Sequence, residues 1–137
     1  MANEPLITII TSSAFFRHDT GGGEHPEAPE RMQAITDRLA EGPLANRIRH
    51  LAPRPAERGQ LLAFHTEGWL FRFEEAVLSG RTYIDHPDNQ VGYDSYEIAI
   101  LSAGSGLVGI DVVEQEPGSV VFCQTRPPGH HAEPNQP

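Results

Sequence analysis

Two short runs constrain this chain more than anything else in it. LITIITS (6–12) and SVVFCQT (119–125) are almost continuously apolar and rich in β-branched residues. That is the pattern of strands covered on both faces in a parallel sheet, not the alternation of a strand with one wet face. A third run, RIRHLAP (47–53), sets Ile48 and Leu51 among polar residues and ends at a proline, which predicts a less buried strand over 47–52.

Between these runs the period changes from two to three or four. PERMQAITDRLAEG (29–42) opens with a first-turn proline, spaces Met32, Ile35 and Leu39 along one side and stops at a glycine, predicting an amphipathic helix. TEGWLFRFEEAVLSG (66–80) begins at a threonine cap, presents Trp69, Leu70, Phe73 and Val77, and ends at Gly80, with a shorter turn, AERGQLLAF (56–64), before it. DSYEIAILSAGSGLVGIDVVEQ (94–115) opens on Asp94 as a cap and runs apolar nearly all round. Its small residues at 103 to 106 and 109 allow close packing, so it reads as a buried helix. Two stretches read as flexible: HDTGGGEHPEAP (18–29) and IDHPDNQVGY (84–93).

Strand, helix, strand, helices and strand in this order predict an α/β fold: an open parallel sheet, three layers deep, with helices on both faces and right-handed crossovers. Such sheets bind ligands outside the carboxyl ends of their strands. The last strand ends at Thr125, so RPPGHH (126–131) falls in that crevice.

With 137 residues the chain is the size of one domain, and its 38% hydrophobic content supports a folded core. The formal charge of −9, from 19 acidic residues against 10 arginines and no lysine, argues against nucleic acid as a partner. Cys123 is the one cysteine; it sits in an apolar run and reads as a buried, inert thiol. The N-terminal MANEPLITII has no basic region, and no window reads as the ~18 apolar residues of a membrane span. These features predict a soluble, cytoplasmic chain with no membrane partner.

Four blocks carry a family resemblance: HPEAPERM (25–32), APRPAERGQLLAFHTEGWLFRFEE (52–75), PDNQVGYDSYEIAILSAGSG (87–106) and RPPGHHA (126–132). In this order they resemble the N-terminal part of the zinc-dependent histone deacetylase family, with its acetoin-utilisation and acetylpolyamine amidohydrolase relatives. The resemblance implies an arginase/deacetylase-like sheet whose first three strands lie in the order two, one, three.

Hydrolysing an acyl amide needs a water activated near neutral pH and a proton for the departing amine, tasks that suit imidazole and a Lewis-acidic metal. By resemblance His131 is the general base and His130 tunes charge and assists proton transfer, both aimed by Pro127, Pro128 and Gly129. Asp88 corresponds to an acidic rim residue that accepts hydrogen bonds from substrate. Arg31 corresponds to an arginine of the channel that receives the acetate product. His25 and His65 recur in the blocks and read as loop anchors or helix caps. Phe15 and Phe16 read as packing residues or as tunnel lining.

The resemblance also implies Zn²⁺ in the complete enzyme, held by an Asp-x-His pair and a second Asp, and nothing after His131 supplies these. The loop DHPD (85–88) offers Asp85, His86 and Asp88, but the resemblance places it at the rim. No complete metal site is therefore expected on this chain. The expectation is an N-terminal portion of one deacetylase-like domain, cut after RPPGHHA and inactive alone, whose parent takes acetyl-lysine or acetylpolyamine. The competing expectation is a non-catalytic α/β binding or assembly module. Either way an uncovered strand 119–125 or helix 94–115 predicts a homo-oligomer.

Overall fold

The computed structural model describes residues 7–20 and 25–137. Leu6 of the first expected strand, and Gly21 to Glu24 of the glycine-rich stretch, lie outside the described residues. Three parallel strands form the sheet: β1 (Ile7–Ile10), β2 (Ile48–Leu51) and β5 (Val120–Cys123), in the order β2-β1-β5. Central β1 sets Ile9 opposite His50 on one side and Phe122 on the other. Its buried Thr8, Ile9 and Ile10 match the doubly covered strand that the β-branched run predicts.

Side chains alternate along a strand, so adjacent residues report opposite faces of the sheet. Cys123 faces the long helix α4 (Ser95–Gln115), where a Cβ added to Gly109 would lie 3.2 Å from Val121 and 3.4 Å from the Cys123 sulfur. Gln124 faces the other way. Its amide nitrogen donates to the Met32 carbonyl at 3.0 Å and to the Thr36 hydroxyl at 2.9 Å, both on α1 (Pro29–Glu41). Helices thus lie on both faces, but β5 is not doubly covered as its apolar run predicts: among the described strands it is an edge strand, and Val120 and Phe122 on one face of it are exposed. Cys123 is half-buried where the sequence reading expected it buried, and burial raises its thiol above its ordinary value.

Two expectations about α4 need correction. It is not buried all round: Ile98, Ser105, Gly109 and Val112 form the buried stripe, while Ile110 and Val113 are exposed. An all-round apolar sequence does not say which face finds a neighbour, and here the sheet takes one side. Its 21 residues, with an 18-residue window of mean hydropathy 1.5, also meet the length and composition of a membrane span, contrary to the sequence reading. In the fold this helix is the sheet's cover. Gly104 shows how close the packing is, since a Cβ there would lie 1.6 Å from the Arg54 carbonyl oxygen.

The second layer builds the cleft. α2 (Arg58–Leu62) and α3 (Glu67–Leu78) follow β2, and the Thr66 hydroxyl caps α3 by accepting from the Trp69 amide at 3.1 Å. Asp94 occupies the N-cap of α4 but does not cap it; its carboxylate pairs with Arg17 instead. Residues 84–93, read as a flexible loop, include a short antiparallel hairpin, β3 (Tyr83–Ile84) and β4 (His86–Gln90), turned by Asp85 with φ 61°. Asp tolerates that left-handed conformation better than most residues. Ile84 and Val91 from this hairpin region join Trp69, Leu70, Ala76 and Val77 in one apolar cluster. Phe15 joins Met32 and Ile98 in a second, with Phe16 packed against it, so both phenylalanines serve packing.

Candidate active site

β5 delivers the chain to the carboxyl edge of the sheet, where Gln124 donates its amide to the Ile10 carbonyl at 3.0 Å and the hallmark turn begins. The turn closes with the Ala132 amide bound to the Gly129 carbonyl at 3.0 Å, and Ser102 of α4 lies 3.5 Å from the Pro127 carbonyl. This places His130 and His131 side by side, ring centroids 4.2 Å apart, on the wall of a cleft of about 680 Å³. Aromatic rings line the same cleft. His65, Trp69, Phe73 and Tyr96 succeed one another at 6.3, 5.6 and 5.2 Å between ring centroids.

The turn is anchored from beneath by a buried charge. Arg126, 2% exposed, donates from Nε and Nη2 to the two oxygens of Glu27 at 2.7 and 2.8 Å, and from Nη1 to the carbonyls of Phe15 and His18 at 3.1 and 2.5 Å. A guanidinium this deep is tolerated because its donors are met in the planar fork geometry that a carboxylate fits. Burial alone would raise the Glu27 carboxyl, but the Arg126 hydrogen bonds and charge, with His18 and Arg31, hold it below its ordinary value.

Buried His18 extends this anchor to α4. The Ser95 hydroxyl oxygen accepts the Gly92 amide at 2.7 Å and lies 2.7 Å from His18 Nδ1. With the hydroxyl donating to Nδ1, the proton sits on Nε2, which faces Glu27 at 3.7 Å, beyond hydrogen-bond reach. Burial first, and then the nearby Arg126 charge, push the His18 imidazole below its ordinary value, which favours its neutral form.

Asp88 lines the cleft with its side chain 75% exposed. His25 Nε2 holds it at 2.9 Å. His65, its ring Nδ1 3.4 Å from the Pro134 carbonyl, anchors the segment 134–135, which also meets Thr66 and Arg72 of α3. Arg31 stays outside: its side chain is 58% exposed, does not line the cleft, and reaches Glu27 at 3.3 Å. The structure therefore brings His130, His131 and Asp88 to one cleft and leaves Arg31 behind it. Sequence reasoning gave no role to Arg126, Glu27, His18 or Ser95. The available signal was an arginine directly after an apolar strand, a charge that needs a partner if the fold buries it.

An imidazole pair open to an apolar cleft can accept and return protons during attack on a carbonyl. Metal chemistry needs more. Among the described residues no three His, Cys, Asp or Glu side chains come together to hold an ion, so the residues present do not fit the zinc that the family resemblance implies.

Sheet order and a cleft at the carboxyl edge of parallel strands define a three-layer α/β protein of the kind that binds ligands at that edge. Residues 25–137 match the histone deacetylase domain family, and the chain belongs to it. It is 35% identical over 93% of its length to the uncharacterized protein slr0245 of Synechocystis sp., and 33% identical over 82% to a histone deacetylase-like amidohydrolase of Pseudomonas aeruginosa. The crystal structure of the HDA15 HD domain superposes on 97% of the chain with a TM-score of 0.85 at 23% identity, a likeness of fold. The chain spans 42%, 29% and 39% of the lengths of these three proteins, respectively.

Proposed function

We propose that this chain carries the acid–base pair and one wall of the acyl-binding cleft of a zinc-dependent deacylase that hydrolyses acetyl-lysine or an acetylated polyamine. In this reading His131 takes the proton of the attacking water and His130 assists its return to the leaving amine. Asp88 accepts an N–H of the substrate at the rim, and the Trp69 and Phe73 side packs the apolar acyl-bearing chain. The observation that carries the reading is the His130–His131 pair held against an aromatic-walled cleft by the buried Arg126–Glu27 clamp. Zinc ligands would have to come from beyond the residues described here, so the 137-residue chain by itself is expected to give no metal-dependent turnover. The test is a panel of an acetyl-lysine peptide and an N-acetylated polyamine offered with zinc to the product of the whole gene. Hydrolysis of either supports the reading, and hydrolysis of neither overturns it.

A further inference from the structure

We propose that His25 is a positioning residue that joins the cleft rim to the histidine turn, fixing Asp88 to the loop that Arg126 clamps; its role in ligand binding rests on the acyl-amide reading above. His25 Nδ1 accepts the Glu27 backbone amide at 3.1 Å. A ring nitrogen that accepts carries no proton, so the proton sits on Nε2 and is donated to Asp88 Oδ1 at 2.9 Å. The tautomer is thus set by the loop and aimed at the rim.

Two residues further on, the Glu27 side chain is gripped by both prongs of Arg126, the residue that opens the turn leading to His130 and His131. From Asp88 through His25 and Glu27 to Arg126, every link is a hydrogen bond or a two-residue stretch of backbone. Asp88 lies on β4, 63 residues from His25, and its carboxylate is mostly exposed. Among the described residues, His25 is the side chain that orients that carboxylate. Oδ2 accepts from none of them, which leaves it for an N–H donor of a ligand. An exposed carboxylate bound by one half-buried imidazole loses rotamer freedom before a ligand arrives, and affinity gains by that preorganisation.

The test uses the 137-residue chain and N-acetyl-lysine N-methylamide as probe. Imidazole ¹⁵N spectra should show His25 protonated at Nε2, with that signal moving in Asp88→Ala. The probe's Kd, read from the Trp69 indole signal, should rise about threefold to tenfold in Asp88→Ala and by a similar factor in His25→Phe. The double variant should be no weaker than Asp88→Ala alone, because the two residues act as one unit. His25→Asn retains an acceptor for the Glu27 amide and loses the reach to Asp88. It should keep the wild-type fold and still bind as weakly as His25→Phe. An Nδ1–H tautomer in the wild type, or an unchanged Kd in His25→Asn beside a weakened Asp88→Ala, would overturn the proposal. If the wild-type chain does not bind the probe, the acyl-amide reading falls, and the Asp88→Ala spectrum decides the positioning alone: a shifted His25 Nε2 signal supports it and an unmoved one overturns it.

Discussion

Arg126 and Glu27, 99 residues apart in sequence, meet beneath the histidine turn in a two-pronged ion pair with contacts of 2.7 and 2.8 Å. Removing one partner of a buried pair leaves the other charged and unmatched, which costs more than the intact pair contributes. Arg126→Met should therefore lower stability by ~3–5 kcal/mol in urea unfolding, and Arg126→Met/Glu27→Met should recover much of that loss. A loss below ~1 kcal/mol in the single variant would mean that the pair is not buried in solution.

Two glycines of α4 separate close packing from mere flexibility. A Cβ at Gly104 meets the Arg54 carbonyl at 1.6 Å, a backbone atom that cannot swing away, whereas a Cβ at Gly106 meets nothing within 4 Å. Gly104→Ala should push the 52–56 segment off the helix and destabilise the chain by several kcal/mol, on the order of other overpacked cores. Gly106→Ala should stabilise it by ~0.5–1 kcal/mol, because alanine is the better helix former. Thermal unfolding of the two variants side by side checks both, and equal effects would contradict the packing of α4.

Acid should weaken the fold in two stages. His18 is held below its ordinary 6.5, first by burial and then by the Arg126 charge. The unfolded chain therefore takes up this proton first, and stability drops as pH falls through 6.5 toward the folded value. Glu27 is held below its ordinary 4.5, so its contribution is present above that value and is lost as pH falls through the folded one. The urea midpoint should begin to fall below about pH 6.5, and His18→Asn, which keeps an acceptor for Ser95, should flatten that first stage only. A wild-type midpoint unchanged from about pH 7.5 to 5.5 would contradict the neutral, buried His18.

These groups also show where sequence reasoning stops. The strands, the three longer helices and the position of the histidine turn were legible because each is written locally, in period and in punctuation. The hairpin 83–90 was not, because Asp85 and Pro87 carry loop chemistry and their pairing depends on Ile84 finding the Trp69 cluster. Which face of α4 is covered could not be read from a helix that is apolar on every side. Asp94 looked like a cap until Arg17, 77 residues away, claimed its carboxylate. The Arg126–Glu27–His18 anchor was invisible for the same reason: its partners come from opposite ends of the chain, and no local rule pairs them.

β5 presents an open edge among the described strands, and Val120 and Phe122 on it are 53% and 43% exposed. The segment 134–135 does not cover this edge, since it docks on Thr66 and Arg72. An apolar strand with unpaired backbone groups is a template for another chain. Sedimentation of the 137-residue chain at micromolar concentration should show a dimer or larger species that Val120→Lys/Phe122→Lys returns to monomer. A wild-type monomer whose 119–125 amides resist hydrogen exchange would refute it.

The most direct measurement is kcat for acetyl-lysine reporter hydrolysis by the whole-gene product, wild type against His131→Ala, at saturating reporter and zinc. General acid–base catalysis typically supplies ~10²–10⁴-fold, so a fall of that size with little change in KM is the expected result. A His131→Ala enzyme with wild-type kcat would contradict the assignment of the histidine pair as the acid–base machinery.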